Sequence, residues 1–102
     1  NPFIGEEIVW QNEKMIWGMN YYGKIISKMI PVKQIYQFLQ EVLKKVTENK
    51  PFRGPNNFRQ GDFEYFNKAE GTLEDFEGEE KIFYKKQLAY KLNYNGGLIT
   101  EK

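Results

Sequence analysis

The chain has 102 residues, 40% of them hydrophobic and 17% aromatic, which is enough for one small core and too little for two independent domains. Its 15 basic and 14 acidic residues leave a net charge of +1, which argues against nucleic acid or an anionic membrane as an electrostatic partner. With neither Cys nor His, the chain can form no disulfide, thiolate or imidazole metal site, nor a Ser-His or Cys-His couple, so no metal or cofactor is expected and any acid-base chemistry falls to Glu, Asp, Lys or Tyr.

Residues 3–26 reappear as residues 76–99, a constant 73 positions on. Phe3, Gly5, Glu6, Glu7, Asn20, Tyr21, Gly23 and Ile26 meet Phe76, Gly78, Glu79, Glu80, Asn93, Tyr94, Gly96 and Ile99. Size and polarity are kept at Val9 and Ile82, Trp10 and Phe83, Met15 and Leu88, Trp17 and Tyr90, and Met19 and Leu92. The sequence therefore reads as one domain, 1–102, with a duplicated module. Each copy runs Phe-x-Gly-Glu-Glu, a short strand, a tight connection, a longer strand and Asn-Tyr-x-Gly, the pattern of a β-hairpin.

In the first copy the turn falls at residues 11–14, where Asn12 suits a left-handed position. Its second strand puts Met15, Trp17, Met19 and Tyr21 on one face and Ile16, Gly18, Asn20 and Tyr22 on the other. This copy is the more apolar one, which points to an outer face covered by another segment or by a second subunit.

Next, Val32, Ile35, Tyr36, Leu39, Val42, Leu43 and Val46 recur at spacings of three and four, which predicts one amphipathic helix over about 32–48. Pro31 suits its start, and Asn49 with Pro51 stops it. No run approaches the roughly 20 apolar residues of a spanning helix, so a soluble, cytoplasmic domain without a membrane partner is expected. Residues 51–57 form a loop rich in turn residues that holds Arg53, and residues 61–67 supply one further strand with Phe63 and Tyr65 on one side. Shifted by 73, the twin of the 58–67 region falls before residue 1, so a longer protein with an additional N-terminal strand region is expected.

The second hairpin turns at residues 84–87, where Lys85 and Lys86 are poor turn formers held in place by their flanking strands. Beyond it Leu88, Tyr90, Leu92 and Tyr94 alternate with Ala89, Lys91, Asn93 and Asn95, the period of a strand with one wet face. The expected fold is α+β: an antiparallel sheet of two duplicated hairpins plus an extra strand, packed on one amphipathic helix. A pseudo-two-fold axis should relate the hairpins, with the helix on the face bearing Trp17 and Tyr90.

Two symmetry-related carboxylate pairs, Glu6 with Glu7 and Glu79 with Glu80, are the sharpest polar signal. Converging in one cleft they would make an acid and a base; otherwise the glycine bends the chain and the glutamates bond locally. The Asn-Tyr-x-Gly ends offer amide and phenol groups to a ligand, or else fill the edge of a core. Trp17, Tyr21, Tyr65, Tyr90 and Tyr94 are candidate ligand-binding aromatics, although alternation of this kind is first a core pattern. Arg53, in a compact Pro/Gly loop, suits a clamp on a carboxylate or phosphate, or an ion pair with Glu79 or Glu80. The acidic run from Glu70 to Glu80 lacks the alternating ligands of a calcium loop, and no basic-aromatic interleaving points to direct nucleic-acid binding.

Phe3-Ile4-Gly5-Glu6-Glu7, Trp17-Gly18-Met19-Asn20-Tyr21-Tyr22-Gly23, Phe52-Arg53-Gly54-Pro55, Gly61-Asp62-Phe63-Glu64-Tyr65 and Tyr94-Asn95-Gly96-Gly97 together resemble a bacterial family of domains of unknown function, DUF5680, over nearly the whole chain. The resemblance implies an additional N-terminal strand region and, in some members, fusion to a helix-turn-helix DNA-binding region, hence a sensor context. It implies no catalytic residues. The function expected is a small non-enzymatic binding or sensing domain for a small-molecule ligand. The alternatives are an enzyme using the paired glutamates and an assembly domain that forms a homodimer through Ile8, Ile16 and Tyr22.

Overall fold

A computed structural model of the chain describes residues 2–28, 30–45 and 57–99. The elements are β1 (Phe3–Gln11), β2 (Lys14–Ile25), α1 (Val32–Leu43), β3 (Asn57–Gln60), β4 (Phe63–Thr72), β5 (Asp75–Tyr84) and β6 (Gln87–Leu98). The strands form a single antiparallel sheet in the order β1-β2-β6-β5-β4-β3. α1 lies on one face, and the other face is open among the described residues.

The side chains that alternate along each strand explain the two faces. Met19 on β2, Tyr65 on β4, Phe76 and Ile82 on β5, and Tyr90, Leu92 and Tyr94 on β6 are buried together with Ile35, Phe38, Leu39 and Val42 of the helix. The helix reaches across the whole sheet. Tyr36 meets Phe3 of β1 edge to face, while Phe38 stacks on Phe58 of β3 and Phe63 of β4. Trp17 stacks on Phe76, and its indole N–H donates to the Leu73 carbonyl at 2.8 Å, fastening the β4–β5 turn to β2.

Two details differ from the sequence expectation. The further strand expected over residues 61–67 is a hairpin, because Gly61, at φ +61°, reverses the chain between β3 and β4; the sheet thus has six strands where five were expected. The helix ends at Leu43, short of residue 48: the Lys45 amide bonds the Val42 carbonyl at 2.9 Å, a three-residue spacing that tightens the chain out of the α-helix. Residues 46–48, the stop at Asn49 and Pro51, and the loop with Arg53 lie outside the described residues.

Both terminal hairpins have two-residue connections with positive φ at both positions: Asn12 and Glu13 at 50° and 67°, Lys85 and Lys86 at 47° and 65°. These are type I′ turns, whose twist matches that of paired strands. In β1–β2 Gly5 faces Tyr21 and the register slips between Val9 and Trp10; in β5–β6 Gly78 faces Tyr94 and the slip lies between Ile82 and Phe83.

Candidate functional site

Adjacent residues of a strand point to opposite faces, so each Gly-Glu-Glu motif is split between the two sides of the sheet. On the helix side Glu80 is fully buried. The Tyr65 hydroxyl donates to one of its carboxylate oxygens, and the Tyr90 hydroxyl lies 3.3 Å from the other. Tyr94, also buried, donates its hydroxyl to Asn67 Oδ1 at 2.7 Å. Three residues expected to bind a ligand, Tyr65, Tyr90 and Tyr94, therefore stand in the core, where they satisfy polar groups that burial would otherwise leave costly.

The open face carries the other half of the motifs. Following the register across the sheet, one row reads Glu6, Asn20, Asn95, Glu77 and Glu70, and the next reads Ile4, Tyr22, Asn93, Glu79 and Lys68. Between these rows lies a cup of about 580 Å³ whose lining includes Asn20, Tyr22, Asn93, Asn95, Glu77 and Lys68, with the backbone of the β2–β6 pair as its floor. A second hollow of about 470 Å³ adjoins it toward Asp75 and Gly96.

Its electrostatics are uneven. Glu79 is held between Lys81 at 3.1 Å and Lys91 at 3.7 Å. Glu70 and Glu77 face each other across β4 and β5, and neither forms an ion pair with the described residues. The cup thus offers amide donors and acceptors, one exposed phenol, the Lys68 side chain and a carboxylate pair at one end. That set suits a polar organic molecule bearing hydroxyl or amino groups better than an anion.

The paired glutamates do not converge. β2 and β6 stand between β1 and β5, so Glu6 and Glu79 start from backbones roughly 14 Å apart at ordinary strand spacing. Glu7 is exposed on β1, and Glu80 is enclosed. Among the described residues no group of three or more Asp or Glu is placed to hold a metal ion. Of the residues expected to bind a ligand, Tyr21 and Tyr94 are among those lining the cup; Trp17 and Tyr21 are half-buried, Tyr21 against Phe3, and Arg53 lies outside the described residues.

Asn20, Tyr22, Asn93 and Asn95 come together because they share a strand parity, and their ligand potential was already visible in the Asn-Tyr-x-Gly ends. Lys68, Glu70 and Glu77 carried no such signal. Their place in the cup depends on β4 pairing with β5, which no local pattern specifies.

These features define a small α+β domain, a six-stranded antiparallel sheet with one helix and a polar cup on the open face. The chain belongs to the family Domain of unknown function (DUF5680), whose profile matches residues 1–99. No curated protein and no solved structure matches it. Among the described residues no helix is long and apolar enough to cross a membrane.

Proposed function

We propose that this is a non-enzymatic binding or sensing domain that takes a small polar metabolite, neutral or cationic, in the cup between the two terminal hairpins. The observation that carries the reading is the cup's position at the β2–β6 junction, where Asn20 and Asn93, residues 73 positions apart, line one hollow with Tyr22 and Asn95. Concave surfaces with a few convergent polar groups are the usual place for a ligand. We also read the hairpins as copies of one module related by a pseudo-two-fold axis through the Tyr21–Tyr94 pair. Matched turns, registers and slips support that reading. Fusion to a DNA-binding region would make the domain its sensor. The spread of the glutamates over opposite faces and distant strands weighs against the acid-base alternative.

A thermal-shift screen of polar metabolites tests the reading. A ligand present at a hundred times its Kd stabilises by about 2.7 kcal/mol, a shift of roughly 10 °C or more in a domain of this size. Asn20→Ala with Asn93→Ala alters two exposed side chains and should abolish the shift while leaving the unliganded Tm nearly unchanged. A shift that survives in this variant and disappears in Arg53→Ala would move the site to Arg53 and overturn the cup.

A further inference from the structure

The two hairpins differ in what lies beyond their outer strands. β5 carries β4 along its whole length, whereas β1 has β2 as its one strand partner among the described residues. β1 is nine residues long, contains no Pro or Lys, and exposes Ile4, Ile8, Val9 and Trp10, with Ile4 79% and Trp10 61% accessible. Of the devices that blunt such an edge, β1 has two carboxylates and a register slip near its end, but no proline and no covering strand among the described residues. β3, the opposite edge, has only four residues.

What covers β5 specifies what would fit β1. On β5, a Cβ at Gly78 would overlap the far end of the Tyr94 ring, so Tyr94 crosses this glycine to reach Asn67 of β4. On β1, a Cβ at Gly5 would overlap the far end of Tyr21 in the same way, so Tyr21 crosses Gly5 toward the uncovered side. Glu80, bonded by Tyr65 of β4, has its counterpart in the exposed Glu7; Glu79, facing Lys68, has its counterpart in Glu6.

We propose that the outer edge of β1 is a docking site for an extended polypeptide strand, paired antiparallel as β4 pairs with β5. The register assigns its chemistry: an aromatic hydroxyl opposite Val9 to reach Glu7, an amide opposite Glu7 to reach Tyr21, a cation opposite Glu6 and a small residue opposite Gly5. An apolar residue opposite Ile8, as Phe66 stands opposite Lys81, would cover Ile8 and Trp10. Main-chain bonding along the edge supplies affinity, and the alternating side chains supply selection. A second copy of β1 fits poorly, because registers centred on the strand set Glu6 and Glu7 against the same residues of the other copy, where like charges repel.

The test uses the full chain and a separate peptide with the sequence of residues 63–71, Phe-Glu-Tyr-Phe-Asn-Lys-Ala-Glu-Gly. The proposal expects saturable binding by fluorescence anisotropy and new amide-exchange protection confined to β1. Glu7→Lys with Glu6→Lys, both exposed, should weaken binding at least roughly tenfold, the effect of about 1.4 kcal/mol. Replacing the peptide's one Lys by Glu should restore part of that loss. No saturable binding, equal binding to the variant, protection on another element, or a peptide-independent dimer with β1 protected would each overturn it.

Discussion

Tyr21 and Tyr94 face each other across the central β2–β6 pair, and each lies over a glycine of its own hairpin, Gly5 and Gly78. Both glycines are there to admit a ring, but the rings differ in burial. Tyr94 is buried and bonded to Asn67, while Tyr21 is half-buried at the side of the sheet where β1 is the last strand.

Gly78→Ala should therefore cost more than Gly5→Ala. The new methyl at position 78 displaces a packed ring and breaks its hydrogen bond, an overpacking penalty of about 2–4 kcal/mol. At position 5 the displaced Tyr21 ring is only half-buried, and a loss of about 1 kcal/mol is expected. Urea unfolding of both variants measures the difference, and equal losses would show that ring burial does not set the cost.

The hairpin turns offer stabilisation. Glu13 and Lys86 each hold the second left-handed position of a type I′ turn, at φ 67° and 65°, where a residue with a Cβ is strained. Glu13→Gly creates Asn-Gly, and Lys86→Gly removes the same strain at the other end of the sheet. Each should gain about 0.5–1 kcal/mol. The turns sit at opposite ends of the β2–β6 pair, so the double variant should show the sum in its Tm.

The turns at residues 11–14 and 84–87 and the start of α1 were legible because each rests on local chemistry: a two-residue gap between alternating runs, and a proline ahead of a three-and-four pattern. β3 was not. It has four residues, of which Phe58 alone is half-buried, so it has no period to read and merges with β4 across Gly61. The Gly-Glu-Glu motif was legible as a pair of strand-borne carboxylates but not as one core and one surface residue in the second copy. Glu80 is enclosed because β4 brings Tyr65 beside it, a long-range pairing that leaves no trace near residue 80. The cup was half legible for the same reason: its β2 and β6 residues share a readable parity, and its β4 and β5 residues arrive through tertiary pairing.

The helix should behave as the element that closes the core. Ile35 and Val42 are fully buried, so Ile35→Ala should cost about 2–4 kcal/mol and Val42→Ala about 1–3 kcal/mol in chemical denaturation. Glu41, exposed and 3.1 Å from Lys44, makes a pair of little consequence; Glu41→Ala should change stability by less than about 0.5 kcal/mol.

Glu80 gives the sharpest test of the polar core. Its carboxylate has been taken out of water among Ile82, Tyr65 and Tyr90, and the hydroxyls of the two tyrosines supply donors. Tyr65→Phe removes the closer donor and should cost about 1–3 kcal/mol; Tyr90→Phe, acting at 3.3 Å, should cost about 0.5–1 kcal/mol. Glu80→Leu leaves both hydroxyls buried without that acceptor and should be the most damaging of these three changes, about 2–4 kcal/mol. Replacing the acceptor and both donors together removes the unmet polar groups along with the bonds. The triple variant Tyr65→Phe, Glu80→Leu, Tyr90→Phe should therefore be more stable than Glu80→Leu alone. A double-mutant cycle between positions 65 and 80 should give a coupling of about 1–3 kcal/mol, and additive losses would show that the hydroxyl and the carboxylate do not act as a unit.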